Sequence, residues 1–312
     1  MTTPNPRILP YGEAAIAEAA AIIAGGGCVA TPTETVYGLA ADATNADAVA
    51  GIYAAKGRPS FNPLIVHVAD RRAAEAIAMF DRDARALADA FWPGPLTLVL
   101  PLRPDAPIAG LVTAGLSTVA IRVPQHRAMQ ALLAATGTPL AAPSANASGT
   151  ISPTRAAHVA ASLAGRIPLV IDDGATSGGI ESTIVAVGAQ PRLLRPGPVS
   201  AAEIEREIGR WLGGAGDAIE APGQLASHYA PRKPLRLDAT EAREGEWLIG
   251  FGAVGGDDTL SAAGDLTEAA ARLFDALHRA DASDRAAIAV ATVPEDGIGL
   301  AINDRLKRAA TR

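Results

Sequence analysis

The chain has 312 residues, twice a common domain length, with 49% apolar and 19% charged residues; this excludes a small stapled module and a disordered chain. The formal net charge of −6 argues against a protein built chiefly to neutralise nucleic-acid phosphates. The single cysteine, Cys28, excludes disulfide frameworks and cysteine-rich zinc modules, and no run approaches the roughly 18 apolar residues of a membrane span, so a reducing cytoplasm is the expected location.

In chain order, an alanine-rich helix over 13–24 closes at Gly25-Gly26-Gly27, and a buried strand follows at 28–31. Residues 32–39 read as a polar turn. Asn45 caps a helix that runs to Lys56, ended by Gly57 and Pro59. A strand at 64–68 contains His67; Asp70 and Asp81 start two helices, the second ending at Trp92-Pro93-Gly94-Pro95. Strands at 96–100 and 118–123, a helix near 125–135 and a strand at 139–142 come next. A helix over 153–164, strands at 169–171, 183–187 and 192–194, and a helix over 200–212 complete a first unit. Alternating strands and helices predict an α/β fold, and the adjacent short strands after 183 make its sheet mixed.

From 213 to 234 no apolar period survives, which marks a linker. Beyond it, strands at 247–251 and 287–293 with helices over 267–280 and 299–309 predict a smaller α/β unit. Residues 1–216 carry 16 basic and 17 acidic groups (net −1), and 217–312 carry 11 and 16 (net −5), so the second unit is unsuited to holding RNA by charge.

Common phosphate signatures are missing: no lysine follows a glycine as in a Walker A loop, and no G-x-G-x-x-G opens a helix. Lys56-Gly57-Arg58-Pro59-Ser60-Phe61-Asn62-Pro63 instead puts two cations in one loop. In a chain that otherwise writes arginine, its lysine is the only one in the first 232 residues, and a point charge beside a planar fork suits a polyphosphate better than a plain helix cap. The hydroxyl-rich loop from Pro143 to Thr154 follows a strand and precedes a helix, a place that favours anions; capping explains Ser152 but leaves Ser144 and Asn146 over. Arg122 lies inside an apolar strand and requires a carboxylate partner from protein or ligand. His67 alternates with apolar neighbours, as a core histidine would, and Glu34 reads as an exposed turn carboxylate.

In this order, Pro32-Thr33-Glu34-Thr35-Val36-Tyr37-Gly38-Leu39, Lys56-Gly57-Arg58-Pro59 with Asn62-Pro63-Leu64, Ser144-x-Asn146 with Ser148-Gly149 and Ser152-Pro153-Thr154, Glu181-Ser182-Thr183, Arg195-Pro196-Gly197 and His228-Tyr229-Ala230-Pro231 resemble the YrdC-type L-threonylcarbamoyladenylate synthases in their long two-domain form. The resemblance implies a YrdC-like twisted mixed sheet over 1–213, a linker or lid at 214–234 and a smaller Rossmann-like α/β domain at 235–312. It also implies synthesis of threonylcarbamoyl-AMP from L-threonine, bicarbonate and ATP, with Mg²⁺ carried by the nucleotide and pyrophosphate released. The product would pass to the machinery that makes N6-threonylcarbamoyladenosine at position 37 of ANN-reading tRNAs, without stable tRNA binding by this chain.

By the same resemblance, Lys56, Arg58, Ser144 and Asn146 form a catalytic tetrad. Arg58, Asn62, Thr118, Ala142 by its backbone, Ser144, Ser152, Arg195, His228 and Tyr229 contact the nucleotide. Thr35, His67, Arg122 and Ser182 hold threonine, whose carboxylate would then be the partner Arg122 needs. Two other readings share some of these features: an RNA-binding module without catalysis, and related carbamoyl-adenylate chemistry in hydrogenase maturation. The single cysteine speaks against the latter, because it cannot supply the zinc fingers that accompany that domain there.

Overall fold

The computed structural model describes residues 5–216, 220–224 and 227–311. Its first unit runs β1 (Arg7–Pro10), α1 (Glu13–Ala24), β2 (Val29–Pro32), β3 (Tyr37–Asp42), α2 (Ala46–Lys56), β4 (Ile65–His67), α3 (Arg71–Ile77), α4 (Arg82–Phe91), β5 (Leu96–Pro101), α5 (Gly110–Thr113), β6 (Thr118–Arg122), α6 (Arg127–Thr136), β7 (Leu140–Ala141), α7 (Ala156–Ser162), β8 (Leu169–Asp172), β9 (Thr183–Ala186), β10 (Arg192–Arg195) and α8 (Ala201–Ile208). The ten strands join in one mixed sheet, ordered β1-β8-β2-β3-β7-β4-β6-β5-β9-β10. Asn45, Asp70 and Asp81 cap α2, α3 and α4 with their side chains, as their positions before alanine-rich segments predict.

The segment read as a turn at 32–39 is the corner of a hairpin: β3 begins at Tyr37 and pairs antiparallel with β2. β1, absent from the sequence reading, is a largely exposed edge strand held by parallel pairing with β8. The helix expected over 153–164 is shortened to Ala156–Ser162, because its N-cap, Arg155, is still extended at φ −140° and ψ 153°.

The sheet pleat sorts the side chains. Val66, Val119 and Ile121 face one core with Ile52 of α2, Leu87 of α4 and Ile204 of α8, while Val29, Leu140 and Leu169 meet Ile16 and Ile23 of α1 and Leu132 and Leu133 of α6. Ile65, Val99, Ala120 and Ile184 point away from the first core and form a smaller patch, covered by Ala221 from the segment after 213. His67 and Arg122 stand two residues beyond Ile65 and Ala120, and so face the side of that patch.

The second unit comprises β11 (Leu235–Arg236), β12 (Glu246–Gly250), β13 (Asp258–Thr259), α9 (Leu266–Ala282), β14 (Ala287–Val290) and α10 (Gly299–Ala310), its strands parallel in the order β11-β14-β12-β13. Its core continues into the first unit through Val36, Ile151 and Ile180, and into the linker through Tyr229. Gly179, at a φ of +70°, lets its loop run against the backbone of α9 at Ala270 and Ala271, where no larger residue fits. Of the linker expected at 214–234, residues 217–219 and 225–226 lie outside the described residues.

Candidate active site

A cavity opens over the ends of the central strands β4 and β6 of the first sheet. Parallel β4 and β6 bring His67 and Arg122 level with each other, and the β2–β3 corner adds Thr33 and Thr35. Ser182 stands just before β9. Arg195 ends β10, where a register irregularity between Leu193 and Arg195 breaks the alternation and lets both Leu194 and Arg195 face the patch side. Ala142 and Ser144 follow β7, Arg58 comes from the loop after α2, and Pro222, Gly223, His228 and Tyr229 close the cavity from the linker.

Two polar groupings divide this cavity. Around Arg122, Nη1 donates to Thr35 Oγ1 at 3.0 Å, Nε donates to the Gly94 carbonyl at 3.0 Å, and Nη2 lies 2.5 Å from Glu34 Oε1. Glu34 is therefore not the exposed turn carboxylate its sequence position suggests; it is 9% exposed and is the protein partner of Arg122. Burial pushes the Glu34 carboxyl up, but the Arg122 charge and hydrogen bonds from Arg122 and backbone amides outweigh it and hold the group below its ordinary value. His67 Nδ1 is buried without a partner, and burial together with the Arg122 charge pushes the imidazole down to about 3, so it is neutral at physiological pH.

The second grouping contains Arg58 and Arg195. Arg58 Nε and Nη2 donate to the carbonyls of Asn62 and Pro63, and burial brings its guanidinium down to about 10. Arg195 Nε donates to the Ser182 carbonyl at 3.0 Å and Nη2 to Ser182 Oγ at 3.1 Å; that hydroxyl also bonds Thr97. His228 is pushed down to about 3 by burial and then by the charges of Lys56, Arg58, Arg195 and Arg305. Burial is the larger cause, but the arginines Arg58, Arg195 and Arg305 around His228 make a positive surrounding that suits an anionic ligand.

Several expected residues do not line the cavity. Lys56 turns its Nζ to the carbonyls of Ser144, at 2.5 Å, and Asn146, at 2.6 Å; burial and the neighbouring Arg58 hold its ammonium well below the usual range. Asn146 uses Nδ2 on the Ala147 and Thr150 carbonyls. Thr118 is half-buried opposite Pro101, and Ser152 donates to Glu181 Oε1 at 2.5 Å behind the wall. Asn62 also lies outside the lining, yet both its side-chain polar atoms are buried without a partner. Ala142 lines the cavity, with its amide donated to Ile65 O. Tyr229 sits at a φ of 64°, a strained conformation for a non-glycine residue, with its hydroxyl buried and unpartnered.

Sequence reasoning missed Glu181 as a wall of the cavity, and Arg305 altogether. Glu181 is the one carboxylate among the lining residues, and Arg305 reaches it from α10. A signal for Arg305 was present: it falls among Ala301, Ile302, Leu306 and Ala309 on the apolar stripe of α10.

The family model Sua5_yciO_yrdC, described as "Telomere recombination", matches residues 21–197, and Sua5_C, "Threonylcarbamoyl-AMP synthase, C-terminal domain", matches residues 199–311. A threonylcarbamoyl-AMP synthase of Bacillus subtilis is 43% identical, covering 97% of this chain and 94% of the relative. One of Pyrococcus abyssi is 41% identical over 94% and 93%. The crystal structure of P. abyssi Sua5 complexed with L-threonine superimposes with a TM-score of 0.89 at 38% identity, covering 97% of each chain. With both units matched in order and relatives aligned over nearly their full length, the chain belongs to the Sua5/YciO/YrdC family, in the form that carries the threonylcarbamoyl-AMP synthase C-terminal domain.

Proposed function

We propose that this chain joins L-threonine, bicarbonate and ATP into threonylcarbamoyl-AMP, releasing pyrophosphate, as the first step toward N6-threonylcarbamoyladenosine in tRNA. The observation that carries the reading is the pairing of two anion-binding groups in one cavity: Arg122 with Thr35, His67 and Ser182, and Arg58 with Arg195 and Ser144. An amino acid carboxylate and a polyphosphate are the two anions the reaction must hold side by side.

Arg122 keeps N–H groups for a carboxylate even with three partners, since a guanidinium has five. The neutral His67 serves as a hydrogen-bond partner for threonine rather than as its base. Once the threonine amine has captured CO₂ or bicarbonate, the carbamate oxygen attacks the α-phosphorus and the bond to the pyrophosphate oxygen breaks. Charge gathers on the phosphoryl and leaving-group oxygens, where Arg58 and Arg195 stabilise it; alignment of the two bound anions supplies much of the remainder.

Lys56 and Asn146 act by holding the loop that presents Ser144, and Asn62, behind the lining, holds Arg58 through its carbonyl. Mg²⁺ would arrive with ATP, held by the polyphosphate; Glu181, the carboxylate of the lining, is engaged with Ser152 and Arg305. The first unit holds both substrates, Pro222, Gly223, His228 and Tyr229 of the linker cover them, and the second unit braces that cover through Tyr229. The site cations are buried and do not offer themselves to a polymer, which supports transfer of the product to a separate tRNA-modifying partner over direct RNA binding. Among the described residues, no helix is long and apolar enough to cross a membrane; we place the reaction in the cytoplasm, where tRNA and ATP are available. Pyrophosphate release measured with threonine and bicarbonate omitted in turn tests the reading: release should need both, and release indifferent to threonine would refute it.

A further inference from the structure

Among the described residues Arg305 is the largest side chain that is wholly buried, at 0% exposure, and it lies on the apolar face of α10 in the second unit. A charge in that position needs partners, and most of its partners are in the first unit. Nε donates to Glu181 Oε2 at 3.1 Å, Nη2 to the Glu181 carbonyl at 3.4 Å and Nη1 to the Pro196 carbonyl at 2.5 Å; Asp304 Oδ2, on its own helix, lies 3.2 Å from Nη1. Its guanidinium carbon also stands 5.7 Å from the centre of the Tyr229 ring. These contacts fall one residue before Ser182 and one residue after Arg195, both of which line the cavity.

Glu181 sets the problem that Arg305 solves. It lines a cavity otherwise furnished with arginines, and its Oε1 accepts from Ser152. An unbalanced carboxylate there would repel an incoming polyphosphate and would be buried without a counter-charge. Arg305 itself does not line the cavity, so it has no direct contact to offer a ligand.

We propose that Arg305, supplied by the second unit, is a positioning residue for nucleotide binding in the first, balancing Glu181 and pinning the Glu181-Ser182 and Arg195-Pro196 segments so that Arg195 faces the phosphates. The proposal rests on the functional reading above and assigns the second unit a part in nucleotide affinity beyond attachment.

The test is calorimetric binding of a non-hydrolysable ATP analogue and, separately, of L-threonine to the full chain and its variants. Arg305→Met should weaken analogue binding about 10-fold or more, with a clearly smaller loss of threonine affinity passed on through Ser182, because the unbalanced charge acts on the anionic nucleotide. Glu181→Gln added to Arg305→Met should restore most of the lost affinity, since a neutral amide removes the repulsion and still accepts from Ser152. Arg305→Lys, which keeps the charge but loses the fork, should fall between wild type and Arg305→Met for the analogue. If Arg305→Met does not fold, the Arg305→Lys and double variants carry the comparison. Wild-type analogue affinity in Arg305→Met or Arg305→Lys would overturn the proposal, as would equal losses for both ligands with no recovery in the double variant. A wild-type chain that binds neither ligand would instead overturn the functional reading.

Discussion

Glu34 Oε1 and Arg122 Nη2 stand 2.5 Å apart beside the cavity, with side chains 12% and 3% exposed. A strand arginine with apolar neighbours is tolerable because a carboxylate from the adjoining β2–β3 corner meets it. Arg122→Ala should therefore do two things: weaken threonine binding far more than nucleotide binding, and destabilise the fold by about 3–5 kcal/mol by stranding Glu34. Denaturant unfolding of Arg122→Ala against the Arg122→Ala, Glu34→Ala pair checks this; the double variant should be the more stable of the two.

Lys56 bridges two carbonyls of the loop that carries Ser144. Lys56→Ala leaves the Asn146 carbonyl buried and unsatisfied, at a cost of about 1–3 kcal/mol, while the Ser144 carbonyl keeps only the Asn146 amide. Lost stability should accompany a fall in adenylate synthesis of about 10²-fold, because Ser144 is displaced. Full turnover with an unchanged melting temperature would refute this role.

Gly223 sits at a φ of +88°, and a β-carbon there would lie 3.0 Å from Arg195 Cδ and from the Tyr229 hydroxyl. Gly223→Ala should weaken nucleotide affinity about 10-fold by pushing against both groups, and should cost about 1 kcal/mol of stability for the left-handed backbone. Titration of nucleotide against the variant, with threonine binding as the control, checks it.

His67, His158 and His228 are each pushed down to about 3 from an ordinary value of 6.5, by burial first and then by nearby positive charge. Each is neutral when folded and protonated when unfolded between those values, so the unfolded chain binds more protons there and stability rises with pH. The contribution is complete above about pH 6.5 and fades below it, at about 1.4 kcal/mol per pH unit for each histidine. Unfolding free energies should fall steeply from pH 6.5 to 5, and His228→Asn should make that fall less steep.

Much of the site is legible in the sequence because burial makes polar residues conspicuous. Arg122 in an apolar strand and the lone early lysine in the Lys56 loop both occupy costly positions, and both turn out to be held by specific partners. Glu34 is misread because a polar corner next to Thr33 and Thr35 resembles a solvated turn; only the pairing of β2 with β3, and its neighbourhood with β6, buries it. The part of Lys56 differs from expectation for a similar reason: spacing places it in the loop, but only the tertiary fold decides whether an ammonium faces ligand or carbonyls. β1 escapes notice because its burial alternates weakly at a sheet edge and its stability comes from β8, more than a hundred and fifty residues away. Arg305 offered the same signal as Arg122, a charge on an apolar stripe, although its partner in the other unit could not be named from spacing.

The most direct test of the proposed reaction follows the carbon that bicarbonate contributes. With radiolabelled bicarbonate, ATP, Mg²⁺ and L-threonine, the chain should transfer label into an adenylate whose mass is that of threonylcarbamoyl-AMP, with pyrophosphate in equal amount; omitting any of ATP, bicarbonate or threonine should abolish it. Pyrophosphate formed without label entering an adenylate, or labelled adenylate formed without threonine, would contradict the account.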